Sequence, residues 1–295
     1  MKSCKEGYLG RYTVRKVTAG MRKLMMSCLF LVAGTVTGLS AQAGEGAEDK
    51  APAAVRNEEG FTGRDIAVMV NEADSSQDMC RNAVMVIERG GQKLLRKMEM
   101  RTLRVGDERR SLIRFSAPPD IQDSQFLSWT HDDIRRGDDL WVFLPSENMV
   151  RRISGGGKKN AFMRSSFALE DIEYRSVDAD EHRFLRNDKL NSRDVWVIES
   201  AAVKEKSGET GYGRRVIFVD KEYRLPSRIE YYDTRNRLIK TMMAGDFRKI
   251  SGIWSAGKMI MQEEGRDSRT LLQYTDVVYN RGLDPAIFDH SSLKR

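Results

Sequence analysis

The sequence predicts a mainly β (α+β) fold: one curled antiparallel sheet of about ten or eleven strands, an unclosed half-barrel, with one or two helices as a lid or plug. Three observations predict it. From Ala83 onward, short runs rich in β-branched and aromatic residues alternate with turn signals. The loops between the runs are mostly of hairpin length, which makes sequence neighbours antiparallel. Helical periodicity shows at only two places, so a sheet this long must curl to bury itself.

The elements follow in order. Arg22 and Lys23 form a basic region, Leu24–Leu39 is uncharged and apolar, and Ala41-Gln42-Ala43 is a small-x-small cleavage site. Residues 1–43 are therefore expected to be a signal peptide, with Met1 or Met21 as the start and Gly44 as the first mature residue. The apolar run is shorter than the roughly 20 residues of a membrane span, and it contains Gly34 and Gly38. Cys28 precedes most of that run, which argues against lipid attachment there. Residues 44–63 are expected to be a flexible linker, rich in Ala, Gly, Glu and Pro at its start, and 64–295 a single domain.

Thr62-Gly63-Arg64-Asp65 has the form of a capping box, and Ile66, Met69, Val70 and Ala73 follow at helical spacing, which predicts a helix over 64–73. Strands are expected over 83–89, 94–105, 109–115, 125–130, 139–144, 149–154, 194–201, 213–220, 227–233, 238–248, 253–263 and 268–279, with Gly90-Gly91, Gly106-Asp107 and Gly265-Arg266-Asp267 among the turns. A second helix is expected near Ser165 and Ser166, with Glu170 and Asp171 in its first turn and Phe167 and Ile172 as its apolar residues.

Composition narrows the function. The whole chain has 50 basic and 43 acidic residues, net +7; without residues 1–43 these become 43 and 42, net +1. The basic excess that nucleic-acid binding needs is thus mostly in the segment expected to be removed. Cleavage also removes Cys4 and Cys28, so neither a disulfide framework nor a thiol metal site is expected around Cys80. His131, His182 and His290 are widely separated, and neither a nucleophile elbow nor a zinc helix is present. Gly155-Gly156-Gly157-Lys158 lacks the outer glycine and the hydroxyl residue of a phosphate loop, and Gly211-Tyr212-Gly213 lacks a third glycine. His131-Asp132-Asp133 alternates faces and has no second ligand cluster. The expectation is a protein that is not an enzyme, with no cofactor and no metal. An integral outer-membrane barrel is also unexpected, because Leu95–Arg104 carries charge on both strand faces.

Two features point to binding instead. Arg151, Arg152, Lys158, Lys159 and Arg164 cluster around a glycine turn, either as a solvated loop or as a contact for anionic headgroups or an acidic partner. Met98 with Met100, and Met259 with Met261, stand at i, i+2 spacing and so share a strand face. Methionine fills ordinary cores and also suits surfaces that fit varied apolar partners.

Three segments carry a family resemblance: Asp139-Leu140-Trp141-Val142-Phe143-Leu144-Pro145, then Val150-Arg151-Arg152-Ile153-Ser154, then 162–172 from Phe162-Met163 to Glu170-Asp171-Ile172. With Leu225-Pro226 before Arg228–Asp233, and Leu283-Asp284-Pro285 near the end, they resemble the outer membrane lipoprotein-sorting protein group. That group is similar to the periplasmic lipoprotein carrier and the outer-membrane lipoprotein receptor. Arg164 and Ser166 stand where the pattern leads one to expect Gly and Asp. The resemblance implies an unclosed barrel with a helical lid over an apolar cavity for acyl chains. Alternation and resemblance together nominate Met98, Met100, Phe115, Trp129, Trp141, Phe143, Phe167, Tyr231, Met259 and Met261 as its lining. The expected function is a monomeric periplasmic carrier of a lipid or of lipoprotein acyl chains, working with an inner-membrane exporter or an outer-membrane receptor and not with nucleic acid. The alternative is an envelope sensor that binds a lipid signal on the same fold.

Overall fold

The computed structural model describes residues 55–293. The expected signal peptide and residues 44–54 of the expected linker lie outside them. The described residues form one α-helix, α1 (Gly63–Glu72), and fifteen strands. The first six are β1 (Asp78–Arg89), β2 (Gln92–Val105), β3 (Glu108–Ala117), β4 (Gln125–His131), β5 (Asp139–Leu144) and β6 (Met149–Ile153). Then come β7 (Asp180–Leu190), β8 (Arg193–Ala202), β9 (Arg214–Asp220), β10 (Pro226–Tyr232) and β11 (Leu238–Gly245). The last are β12 (Arg248–Ile250), β13 (Ile253–Ser255), β14 (Lys258–Glu263) and β15 (Ser268–Tyr279).

Thirteen strands make one antiparallel sheet in the order β6-β5-β4-β3-β2-β1-β15-β14-β11-β10-β9-β8-β7. It is not closed into a barrel, and β6 and β7 are its two edges. The count exceeds the expected ten or eleven, and the strand without an expected counterpart is Asp180–Leu190, an edge strand despite its charged sequence; β1 also begins earlier than expected, at Asp78. Arg186 and Lys189 on that edge face water, a common way to protect an unpaired strand. Residues 253–263 also split, so that β12 and β13 form a separate hairpin.

Local chemistry explains the pairings. Gly90 and Gly91 both take left-handed backbone angles, with φ of 53° and 75°, and so close the two-residue β1–β2 hairpin. Register then sets the faces. Met98 lies opposite Ala83 on one side and Phe115 on the other, which places all three on one face. On the other half of the sheet Met242 pairs with Met261, and Met259 with Leu272.

Helix α1 begins as its capping box predicts: Asp65 N donates to Thr62 Oγ1, and Thr62 N donates to Asp65 Oδ2. Ile66 and Ala67 pack against Phe184, Trp196, Ile198 and Val219. Gly63 is required there, since a Cβ would stand 2.5 Å from the Arg183 carbonyl carbon on β7. Residues 55–62 are tied to the domain as well, contrary to their place in the expected linker. Phe61 N donates to Asn57 Oδ1, and Glu59 accepts from Trp196 Nε1 at 2.9 Å and Lys221 Nζ at 2.8 Å. These tertiary partners lie far along the chain, where linker composition gives no sign of them. Cys80 is buried on β1, and the other two cysteines fall outside the described residues.

The second expected helix does not form. Residues 162–172 hold two short 3-10 turns, Phe162–Arg164 and Leu169–Asp171. Ser165 and Ser166 do not cap them: Ser165 Oγ accepts from Phe167 N, and Ser166 N donates to Thr270 Oγ1. Met163 and Arg164 both have positive φ, 49° and 65°, so Arg164 occupies a backbone conformation that suits the expected glycine. The topology explains the irregularity. This segment joins the edges β6 and β7, so it must cross the open side of the curled sheet.

Candidate functional site

Side-chain alternation divides the sheet into two apolar faces. The concave one gathers Met85, Met98, Met100, Ile113, Phe115, Met261, Leu272 and Tyr274, with Phe162, Phe167 and Leu169 inserted from the crossing segment. On the convex face Leu103, Leu112, Leu127 and Phe143 pack under Phe288 and Leu293 of the C-terminal segment.

The crossing segment is fastened by polar contacts inside this apolar layer. Lys240 Nζ stands 2.6 Å from Asp171 Oδ2, and Tyr212 donates its hydroxyl to Asp171 Oδ1 at 2.7 Å. Asp171 Oδ2 also accepts from Ala168 N at 2.6 Å. Ser166 Oγ bonds Ser268 Oγ at 3.0 Å. Farther along, Glu173 accepts from Ser128 Oγ at 2.6 Å and Ser111 Oγ at 3.2 Å. Burial pushes the Glu173 carboxyl up, against the pull of the Lys158 charge and the two serines. Burial also holds the Tyr212 phenol far above its ordinary range, so it stays a donor to Asp171.

Beside this anchored stretch the concave face is not filled. A groove of about 400 Å³ runs between the sheet, residues 171–174, Leu225-Pro226 and the β12–β13 hairpin. Its apolar wall includes Met100, Ile229, Met242, Ala244, Met259 and Val277. This volume lies in the range of about 300–1,000 Å³ usual for small-molecule sites. Arg81, Arg104 and Arg109 stand along the same groove. The Arg81 guanidinium lies 3.8 Å from the centre of the Tyr274 ring, and Arg109 lies 3.9 Å from that of Tyr174. Burial and the Asp132 hydrogen bond raise the Tyr174 phenol to about 12.

The structure brings seven of the ten nominated residues to the concave cluster: Met98, Met100, Phe115, Phe167, Tyr231, Met259 and Met261. Of these, Met100 and Met259 face the open groove, and the others fill the layer around it. Trp129, Trp141 and Phe143 are corrected to the opposite face. Trp129 Nε1 donates to the Phe288 carbonyl at 2.8 Å, and Trp141 stacks on His290 with ring centres 5.4 Å apart. Their neighbours Phe126, Leu140 and Val142 carry the concave side of those strands, one residue out of step with the expectation.

The basic cluster is also divided. Arg151, Arg152, Lys159 and Arg164 are exposed, with Arg151 paired to Glu147 and Arg152 to Asp139. Lys158 is corrected to a structural role: it is buried and donates to Asp138 Oδ2 at 2.8 Å and Thr130 Oγ1 at 3.0 Å, so it is closed to any headgroup. Sequence reasoning missed Arg81, Arg104, Arg109, Met242, Ile229 and Tyr274. Alternation could have found Arg81 between Met79 and Ala83, and Tyr274 two residues after Leu272. The lining by Leu225-Pro226 and the β12–β13 hairpin depends on tertiary packing that no local pattern reports.

A family model described only as an uncharacterized protein matches residues 107–295. No match is found among the curated proteins. Among solved structures, a DUF1329 family protein from Desulfovibrio piger is 36% identical with a TM-score of 0.75, covering 78% of this chain and 97% of that one. A putative outer membrane lipoprotein-sorting protein domain from Vibrio parahaemolyticus is 29% identical with a TM-score of 0.74, covering 79% and 98%. A LolA superfamily protein from Nitrosomonas europaea shares the fold, with a TM-score of 0.62 at 22% identity, covering 78% and 98%. The resemblance carried by the Trp141-to-Ile172 segments is borne out by these likenesses, and at this identity and coverage the chain belongs to the DUF1329 family.

Proposed function

We propose that this protein is an exported periplasmic carrier that holds a lipid, or the acyl chains of a lipoprotein, in the groove on its concave face. The observation that carries the reading is a wall of flexible methionines and aliphatic residues that remains open inside an otherwise close-packed layer. Burying an acyl chain there stabilises it by about 0.8 kcal/mol per methylene, and methionine adapts to chains of different shape. Transport of this kind needs no covalent chemistry, so a non-enzymatic role fits. The names of the lipoprotein-sorting and LolA superfamily relatives support the same reading.

Release requires the groove to open, and the segment 162–176 is the element that covers it. An inner-membrane exporter would load the cargo, and an outer-membrane receptor would take it. Exposed Arg151, Arg152, Lys159 and Arg164 are the proposed contacts for such a partner or for lipid headgroups, and the carrier acts as a monomer.

Native mass spectrometry of the purified mature protein tests the proposal. Co-purified lipid, displaced by a fluorescent fatty acid, is the expected result. A protein that carries no lipid and binds no acyl probe would overturn it in favour of a purely protein-binding role.

A further inference from the structure

Arg81, Arg104 and Arg109 line one groove, and among the described residues none of them has a carboxylate partner. This sets them apart from their neighbours, since Arg101, Arg110 and Arg114 on the same strands pair with Glu99, Glu108 and Asp123. Arg104 and Arg109 lie directly opposite each other across the β2–β3 ladder, so their side chains share a face. Like charges at such positions repel unless something compensates them.

The available partners are neutral. Arg104 Nε donates to the Ser76 carbonyl at 2.9 Å, and its other nitrogen to the Asp74 carbonyl. Arg109 donates to Asn71 Oδ1 at 2.9 Å. Arg81 rests on Tyr274, and its buried Nε has no hydrogen-bond partner. The acids that also border the groove are engaged elsewhere: Asp171 with Lys240, Glu173 with Ser128 and Ser111, and Asp74 with Ser76 N and Oγ. Burial and the charge of Arg104 lower the Arg109 guanidinium below its ordinary value, outweighing the opposing pull of Tyr174, Asp74 and Asp132.

We propose that these three arginines form an oxyanion site at the groove, which takes the phosphate or carboxylate head of an amphiphile whose chain lies along Met100, Met242 and Met259. The site deepens the carrier reading and rests on it for the chain, though not for the head. Guanidinium forks suit both oxyanions, and a half-buried setting strengthens their hydrogen bonds. Arg81, whose guanidinium rests on a ring face, is the member least committed to the fold. Arg104 is the member most committed to the fold.

Three probes of the mature protein separate the sources of the anion: a long-chain fatty acid, the uncharged alcohol of the same length, and inorganic phosphate. Calorimetry or displacement of a fluorescent probe measures each. The fatty acid is expected to bind roughly tenfold or more tightly than the alcohol, which is what one charge-assisted hydrogen bond supplies. Arg81→Gln and Arg109→Gln should collapse that ratio towards one with alcohol binding unchanged, and Arg81→Lys should retain part of it. Alcohol binding by the variants shows that they are folded. Equal binding of acid and alcohol by the unsubstituted protein would overturn the oxyanion site and leave the carrier reading standing. Binding of phosphate alone, lost in the arginine variants, would keep the site for a free anion and remove the acyl reading. Binding of none of the three would overturn both.

Discussion

Lys240 on β11 stands 2.6 Å from Asp171 in the segment that crosses the sheet, and both side chains are almost wholly withdrawn from water. The pair joins the cover to the wall beneath it. Two tyrosine rings enclose the ammonium, Tyr212 at 4.9 Å and Tyr231 at 5.0 Å from Nζ to ring centre. Removing one partner leaves a buried charge without compensation, which costs about 3–5 kcal/mol in other proteins. Asp171→Asn and Lys240→Met should each lower stability to urea by that order. They should also speed acyl-probe entry, because the cover loses its tie to β11. A loss below about 1 kcal/mol in both would show that the pair is not the anchor.

Much of the sheet was legible because its turns are local. Gly90-Gly91 and Gly106-Asp107 close hairpins between alternating runs, and the capping box at Thr62 and Asp65 set the start of α1 to within one residue. The lining was only partly legible. On β4 and β5 apolar residues occupy both faces, as with Phe126 beside Leu127 and Val142 beside Phe143. Alternation alone cannot say which face is concave there. The choice is made by Phe288 and Leu293, which cover the convex face from the far end of the chain. The crossing segment has the hydroxyls and acids of a helix start, yet it forms two 3-10 turns. The partners of those side chains, Ser268 for the Ser166 hydroxyl and Lys240 for Asp171, stand 102 and 69 residues farther along the chain.

Two buried acids should give opposite pH dependences. Burial pushes the Asp180 carboxyl up, but Arg175 and Arg215, each within 2.8 Å, outweigh it and hold it below the usual carboxylate value. Its contribution is therefore present above the unfolded value of about 3.9 and is lost as pH falls through the folded one. Asp180→Asn should cost stability at neutral pH, with the gap to the unsubstituted protein closing in acid. Glu173 is raised by burial. Its contribution is present below the unfolded value of about 4.3 and lost as pH rises through the folded one. Stability of Glu173→Gln relative to the unsubstituted protein should thus improve between about pH 4 and pH 8. Urea titrations below about pH 4 for Asp180→Asn and above it for Glu173→Gln measure the two trends, and curves parallel to the unsubstituted protein would contradict them.

The exported protein should begin near Gly44 and need no detergent. N-terminal sequencing of the envelope fraction checks this. Intact chain starting at Met1 or Met21 in the membrane pellet would refute cleavage.

The two faces of the sheet should respond differently to substitution. Phe143 is 8% exposed on the convex side, packed with Leu127 and Phe288. Phe143→Ala should therefore cost about 3–5 kcal/mol through the lost contacts and the cavity left behind. It should leave acyl-probe affinity unchanged, because that cluster lies across the sheet from the groove. Met259 sits on the concave side, is only half-buried, and borders the open volume. Its side chain already meets space that a ligand or water can occupy, so Met259→Gln desolvates little new polar surface and should cost under about 1.5 kcal/mol. A polar amide on the wall interrupts the apolar surface along which a chain would lie, so probe affinity should fall several-fold. The comparison uses stability and binding on the same two variants, which separates a groove from a closed core. If Met259→Gln destabilises as much as Phe143→Ala and does not weaken the probe, Met259 is ordinary core, and the chain-binding wall must be sought elsewhere on the concave face.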